Sequence, residues 1–433
     1  MFFSPKTSAD GLVFHYDTGN TVRSYLGEPT TNLWGIQSGT NVNNKSGWSM
    51  PYSYNGAITN SIYSSGTWNG NRIWEVLHTA GTSGYAGHES WRECVDQPTA
   101  GSGTYGTTRR VAMKICILEG SITDLALHSG GGNGGHSGGA WTAIPASQVP
   151  KDCPVKTGWY QFLEDGSWNS NSVGHCIGLG FISYNRVKLL IAEPMYYPSS
   201  KLLPFTGYQR GATQGLKDLT AKSTIDISTV SFDSNAQMTF DGTDDTLSTG
   251  RPLTALPALS NFTIECIAKI DAYPTAAPPN FYNNTTRAGV LLGAAYYSGT
   301  ALYWYGNNSG TACTIYAYIR GADAYRTAGG FNLTPGRYHH LVLVNDYSGG
   351  TIKLYANGTL NGSATTATQE YNPSLTPSAG NIGISKAQVD GGGESVYSYL
   401  PCQVPSVKIF NRALTADEVT RNYNAIKSRF NIG

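Results

Sequence analysis

Charge is scarce in this chain. Asp, Glu, Lys and Arg make up 13% of the 433 residues, against about 25% in ordinary globular proteins. The net balance is +1, so no electrostatic footprint for nucleic acid or an anionic membrane is expected. Long apolar runs are missing too. None approaches the ~18 residues of a transmembrane helix, which argues against membrane insertion. The opening Met1-Phe2-Phe3-Ser4-Pro5-Lys6 lacks the longer apolar core and cleavage site of a secretory signal. Cysteines are few and unclustered: seven, at 94, 116, 153, 176, 266, 313 and 402. Without CxxC or Cys/His spacing they do not suggest zinc, and free buried thiols in a reducing cytosol are expected.

Turn formers and aromatics are abundant instead. Aromatics reach 12%, with 28 Tyr and 9 Trp, and Gly alone counts 52. Such a chain has apolar surface to bury and many turns, the profile of short strands rather than of disorder. At about 150 residues per domain the length suggests two or three units. The most telling stretch runs Pro335-Gly336-Arg337-Tyr338-His339-His340-Leu341-Val342-Leu343-Val344-Asn345-Asp346. It is followed, across Tyr347-Ser348-Gly349-Gly350, by Ile352-Lys353-Leu354-Tyr355-Ala356-Asn357-Gly358. Two apolar runs separated by a turn, the second ending in Asn-Gly, predict consecutive antiparallel strands. Strand-like runs also occupy 110–118, 157–162 and 186–192. One helix is expected, opening on the capping box Thr415-Ala416-Asp417-Glu418, with Val419, Tyr423 and Ile426 on one face.

The hairpin resembles the laminin-G-like domain of the concanavalin A-like jelly-roll superfamily, Tyr338 standing where that family usually has Trp. Met238-Thr239-Phe240-Asp241-Gly242-Thr243-Asp244-Asp245 is similar to its Phe-Asp-Gly-x-Asp-Asp turn. Val407-Lys408-Ile409-Phe410-Asn411-Arg412-Ala413-Leu414-Thr415 is similar to its closing strand. Pro405 and Ser406 occupy the place where the family often carries an acidic residue. Gly11-Leu12-Val13-Phe14-His15-Tyr16-Asp17 resembles the opening strand of such modules in phage structural proteins. The phrase that should follow it, Gly215-Leu216-Lys217-Asp218-Leu219-Thr220, arrives almost two hundred residues late. A surface-loop insertion explains the delay, because closure entropy grows slowly with loop length. The resemblance therefore implies an all-β chain of two antiparallel β-sandwich (jelly-roll) domains with one C-terminal helix. Residues 1–27 give the first strand or strands and 213–433 the remainder; the insert 28–212, entered by Glu28-Pro29-Thr30-Thr31-Asn32-Leu33 and left by Ile191-Ala192-Glu193-Pro194-Met195-Tyr196-Tyr197, resembles the carbohydrate-binding-like sandwiches of phage tail and head proteins. Segment 11–17 is expected to pair within the C-terminal sandwich.

Candidate chemistry is thin. Glycosidases of this fold need paired carboxylates, at alternate positions along a strand. Glu89 and Glu93, around Trp91, have a spacing that suits a helical turn or loop. The glycine run Gly130–Gly139 is followed by no helix-opening pattern, so an exposed loop is expected rather than a phosphate cradle. No catalytic residue is assigned. Asp241, Asp244 and Asp245 offer hard oxygens suited to calcium, or else an Asx-rich turn capping its own backbone. Exposed rings beside amides would suit a sugar, and Trp68, Trp168, Tyr303, Trp304 and Tyr305 are the candidates. Eight of the nine tryptophans precede residue 170.

Taken together, the resemblance leads to the expectation of a non-enzymatic bacteriophage virion surface protein: capsid decoration, head fibre or tail tip. It would sit on the virion surface after assembly in the host cytoplasm. Its expected partners are other capsid or tail proteins, host cell-surface glycans and further copies of itself. The alternatives are a glycan-degrading enzyme and a secreted bacterial carbohydrate-binding adhesin.

Overall fold

A computed structural model describes residues 7–32, 63–68, 70–78, 89–95, 108–131, 140–143, 160–167, 175–181, 185–197, 199, 201, 203–252, 260–274, 286–293, 300–307, 310–320, 325–366, 381–386 and 399–433. Two compact units emerge: residues 1–29 with 211–433, and residues 30–210. The first unit opens with β1 (Leu12–Asp17). The second runs through β2 (Thr30–Thr31), β3 (Tyr63–Trp68), β4 (Asn71–His78), β5 (Glu89–Val95), β6 (Thr108–Glu119), β7 (Leu125–Gly131), β8 (Ala140–Ala143), β9 (Tyr160–Ser167), β10 (His175–Phe181), β11 (Val187–Tyr197) and β12 (Gln209–Arg210). The first then resumes with the short helix α1 (Ala212–Gly215) and β13 (Ser231–Phe232), β14 (Met238–Thr239), β15 (Leu247–Pro252), β16 (Phe262–Lys269), β17 (Thr286–Gly293), β18 (Thr300–Asn307), β19 (Cys313–Arg320) and β20 (Tyr325–Asn332). It ends with β21 (His339–Asp346), β22 (Thr351–Ala356), β23 (Thr359–Thr365), β24 (Asn381–Lys386), β25 (Gln403–Phe410) and helix α2 (Ala416–Ile426). The fold is all-β and antiparallel, as the strand patterning implies.

In the first unit two six-stranded sheets, β1-β25-β16-β21-β22-β23 and β15-β24-β17-β18-β19-β20, enclose one apolar core. Phe14, Ile264, Leu341, Leu343 and Ile409 of the first sheet meet Leu302, Trp304, Ile315 and Ile384 of the second. β1 pairs with β25, Tyr16 opposite Val407, and the Tyr16 hydroxyl donates to the Val404 carbonyl at 2.7 Å. The predicted turn 347–350 joins β21 to β22. Asn357 and Gly358, both at positive φ (49° and 78°), make the primed turn between β22 and β23. A Cβ at Gly358 would come within 2.6 Å of the Tyr423 ring. Glycine is therefore required there twice, by its φ and by the approach of α2.

β16 and β21 are buried along nearly their whole length. Such unbroken burial belongs to strands covered on both faces. One cover is the second sheet; the other is α2, whose Val419 packs with Val342, Val344, Phe410 and Leu414. The capping box forms as expected, with the Glu418 N–H donating to Thr415 Oγ1 at 3.3 Å and the Thr415 N–H to Glu418 Oε2 at 3.0 Å. Arg412 grips the same carboxylate at 2.6 and 2.8 Å and holds its pKa down at about 2, with the Thr415 bonds assisting against burial.

Beneath α2 lies a buried polar row. His15, Lys408, Glu265 and Val342 are cross-strand neighbours on β1, β25, β16 and β21. Lys408 Nζ donates to Glu265 Oε1 at 2.8 Å, and Asn422 of α2 donates to Glu265 Oε2 at 2.6 Å. The Asn422 carbonyl oxygen accepts the Ser8 N–H at 2.8 Å. His340 lies 3.5 Å from Glu265 Oε1, a contact too long for a good hydrogen bond, and stacks on Tyr423. Burial opposes ionisation of Glu265, but the Lys408 charge and the His340 contact outweigh it and keep the carboxyl well below its ordinary range. His339 points the other way, its ring 5.2 Å from Phe331. The adjacent histidines therefore face opposite sides of β21, as strand alternation requires.

The second unit holds a five-stranded sheet, β3-β4-β11-β6-β9, and a four-stranded one, β5-β10-β7-β8. Trp74, Val76, Ile115, Ile117, Leu189 and Ile191 are almost fully buried and alternate along β4, β6 and β11, so one face of the larger sheet is apolar across these three strands. Cys266, Cys313 and Cys402 are free and buried, Cys116 is buried, and Cys94 and Cys176 stand opposite each other in the β5–β10 register. Among the described residues no helix is long and apolar enough to cross a membrane.

Two outcomes test this architecture. Lys408→Ala strands the Glu265 charge and should cost about 3–5 kcal/mol in urea unfolding. Replacing both partners (Glu265→Gln with Lys408→Met) should cost less. Burial, then the Lys408 charge, lowers the His15 pKa to about 4. The unfolded chain, with His near 6.5, therefore binds more protons between pH 6.5 and 4. Stability should fall as pH drops through that window, and His15→Gln should flatten the decline of the melting temperature.

Candidate functional site

The second sheet of the first unit has an outward side distinct from the shared core. Alternation along β18 sends Trp304 inward, where it is fully buried in that core. Tyr303 and Tyr305 consequently point away from it. Tyr303 and Tyr318 gather with Val290 and Ala301, and Tyr305 packs against them. The rings form a ladder: Tyr303–Tyr305 at 4.9 Å edge-on, Tyr303–Tyr318 at 5.9 Å tilted, Tyr305–Tyr316 at 5.6 Å edge-on. Tyr303 and Tyr318 are buried, whereas Tyr305 and Tyr316 remain partly exposed. Thr314 stands opposite Tyr305 and donates its hydroxyl to Asn332 Oδ1. Gly330 leaves the Tyr316 ring uncrowded on the β20 side, since a Cβ there would press to 3.3 Å from it. Two half-open aromatic edges beside a hydroxyl–amide pair are what a sugar ring needs for stacking and hydrogen bonding.

The sheet's strands contain no Asp or Glu at all, while Arg251, Arg287, Arg320, Arg326 and Lys386 fall within them. A paired-carboxylate mechanism therefore finds no donors on these strands. Glu89 and Glu93 sit on a strand, β5, and not on the helical turn or loop that their spacing suggested. They stand at alternate positions, i and i+4, of that strand. A Gly-x-Ser-x-Gly string, Gly135-His136-Ser137-Gly138-Gly139, is a signal missed in the sequence reading. A nucleophile elbow needs a strand-to-helix turn. This string instead connects β7 and β8, which pair antiparallel, and residues 132–139 lie outside the described residues.

The predicted sugar contacts thus separate. Tyr303 and Tyr305 are brought together. Trp304 is corrected to a core residue, because the pleat turns it between the sheets. Trp68 lies in the other unit, with Lys114 Nζ 5.8 Å from its ring centre. Trp168 lies outside the described residues. Tyr316, Tyr318, Thr314 and Asn332 were not singled out from sequence; the ring alternation in Tyr316-Ala317-Tyr318 was the available signal.

Asp241, Asp244 and Asp245 do converge, each offering a carboxylate oxygen within 4.8 Å of the others. Two of these carboxylates already serve the backbone. Asp245 Oδ2 accepts the N–H groups of Asp241 (2.9 Å) and Ser231 (3.2 Å), and Asp241 Oδ1 accepts that of Thr243 (2.7 Å). Calcium takes six or more oxygens, so this donor set meets only part of its demand, and the self-capping turn accounts for the geometry.

Residues 241–420 match the concanavalin A-like lectin/glucanases superfamily. The tyrosine ladder lies within this concanavalin A-like segment. Among curated proteins none matches the sequence. Solved structures similar in part include Trypanosoma rangeli sialidase in complex with 2,3-difluorosialic acid, at 15% identity and a TM-score of 0.33. The likeness covers 50% of this chain and 31% of that one. The binding domain of botulinum neurotoxin serotype D is another, at 14% identity, 49% of each chain and a TM-score of 0.34. The chain thus spans between about a third and a half of these proteins. Likeness at this level carries no assignment of activity. The expectation of a phage virion surface protein is corrected: the solved structures similar in part to this chain are sialidases and toxin binding domains.

Asp245→Ala should remove a cap from two buried-side N–H groups and cost about 1–3 kcal/mol. The loss in thermal unfolding should be the same in calcium and in chelator.

Proposed function

We propose that the concanavalin A-like unit recognises carbohydrate, holding a sugar ring against Tyr305 and Tyr316 with Thr314 and Asn332 supplying hydrogen bonds. The observation that carries this reading is the four-tyrosine ladder on the outward side of a sheet whose strands hold no carboxylate. Tyrosine suits the task because its ring offers rigid apolar area while its hydroxyl stays wettable. The superfamily's name covers both lectins and glucanases. Lack of acidic residues on these strands favours recognition over hydrolysis at this face, so glycan cleavage would have to be carried elsewhere in the chain.

A glycan array probed with the full chain, followed by reducing-end assays on the bound glycans, tests the reading. Binding without release of reducing ends is the expected result. Tyr305→Ala and Tyr316→Ala should each weaken binding by about tenfold, with melting temperature nearly unchanged because both rings are already partly exposed. Retained binding in the double variant would reject the face.

A further inference from the structure

The second unit carries a different constellation on the larger sheet, on the side away from its apolar face. Trp68 ends β3 and stands directly opposite Asn71 at the start of β4. Asn71 Nδ2 donates to Glu193 Oε1 at 2.9 Å, and Lys114 Nζ lies 2.6 Å from Glu193 Oε2. The same ammonium sits 5.8 Å from the Trp68 ring centre. Four strands thus converge on one indole, one amide and one ion pair.

Three further observations point to a built site. Glu193 is a non-glycine residue at φ 53°, inside the register break between Ala192 and Met195 of β11. Such backbone persists only where the surroundings over-determine it, and it clusters at ligand clamps. Buried Asn32 supplies that fixation by donating to the carbonyls of Pro194 (3.0 Å) and Thr206 (2.9 Å). Trp68 as a whole is half-buried, although its Nε1 is enclosed.

We infer that Trp68, Asn71, Lys114 and Glu193 form a second saccharide site, separate from the tyrosine ladder and independent of it. The indole takes the apolar face of a pyranose. Carboxylate, ammonium and amide alternate acceptor and donor at the spacing of adjacent hydroxyls. Since the ammonium and carboxylate compensate each other, the site makes no demand for a charged ligand, and a neutral hexose with a vicinal diol is the class it fits.

The test uses the full chain carrying Tyr305→Ala and Tyr316→Ala, which leaves the ladder disabled whether or not that face binds sugar. Saturation-transfer NMR against glucose, galactose, mannose, N-acetylglucosamine and their disaccharides supplies the probes, and calorimetry the affinities. At least one neutral sugar should bind, and Trp68→Ala or Glu193→Gln should each weaken it at least about tenfold. Trp68→Phe should restore part of the loss. Glu193→Gln preserves size and so keeps the result readable if Trp68→Ala fails to fold. No binding across the panel, or binding indifferent to all these substitutions, would overturn the site.

Discussion

Glu265 is the charge around which the first unit is organised. It lies in the middle strand of the sheet that α2 covers, where a carboxylate without partners would be intolerable. Lys408 neutralises it from β25, Asn422 reaches it from α2, and Ser8 ties the N-terminal segment to that same asparagine. Strand, closing strand, helix and opening segment are therefore registered by one side chain. Hydrophobic burial around Val342, Val344, Phe410 and Val419 supplies adhesion, but it does not discriminate between slipped positions of the helix. Ion pair and amide do, since a shifted α2 would leave both Glu265 and Asn422 without their partners.

The rest of the sandwich follows from alternation. Where both faces are covered, the sequence reads as a continuous apolar run, as in β16 and β21. Where one face is not shared with the core, large rings alternate in direction, as in Tyr303-Trp304-Tyr305. The same pleat that commits Trp304 to the core is what releases Tyr303 and Tyr305 to build the ladder with Tyr316 and Tyr318.

Much of the fold was legible because its signals are local. The Asn357-Gly358 turn, the Thr415–Glu418 cap and the HHLVLV strand each state their own geometry within a few residues. The site was less legible. Trp304 looked like a contact because composition cannot tell which way an odd-numbered step in a strand faces. Tyr316 and Thr314 went unnoticed because their relevance depends on cross-strand neighbours on β18 and β20. Glu265, Lys408 and His340 are ordinary residues in sequence, and only the pairing of β16 with β25 and β21 makes a network of them. Glu193 gave no hint either, since its backbone conformation is set by a register break in β11.

The ladder between β1 and β25 has a bearing on biosynthesis. Tyr16 waits for Val404, 388 residues further along, before it can be satisfied. A ribosome would deliver the intervening unit, 30–210, long before that partner exists. The opening segment cannot complete its sheet until the strand that carries Val404 has been made.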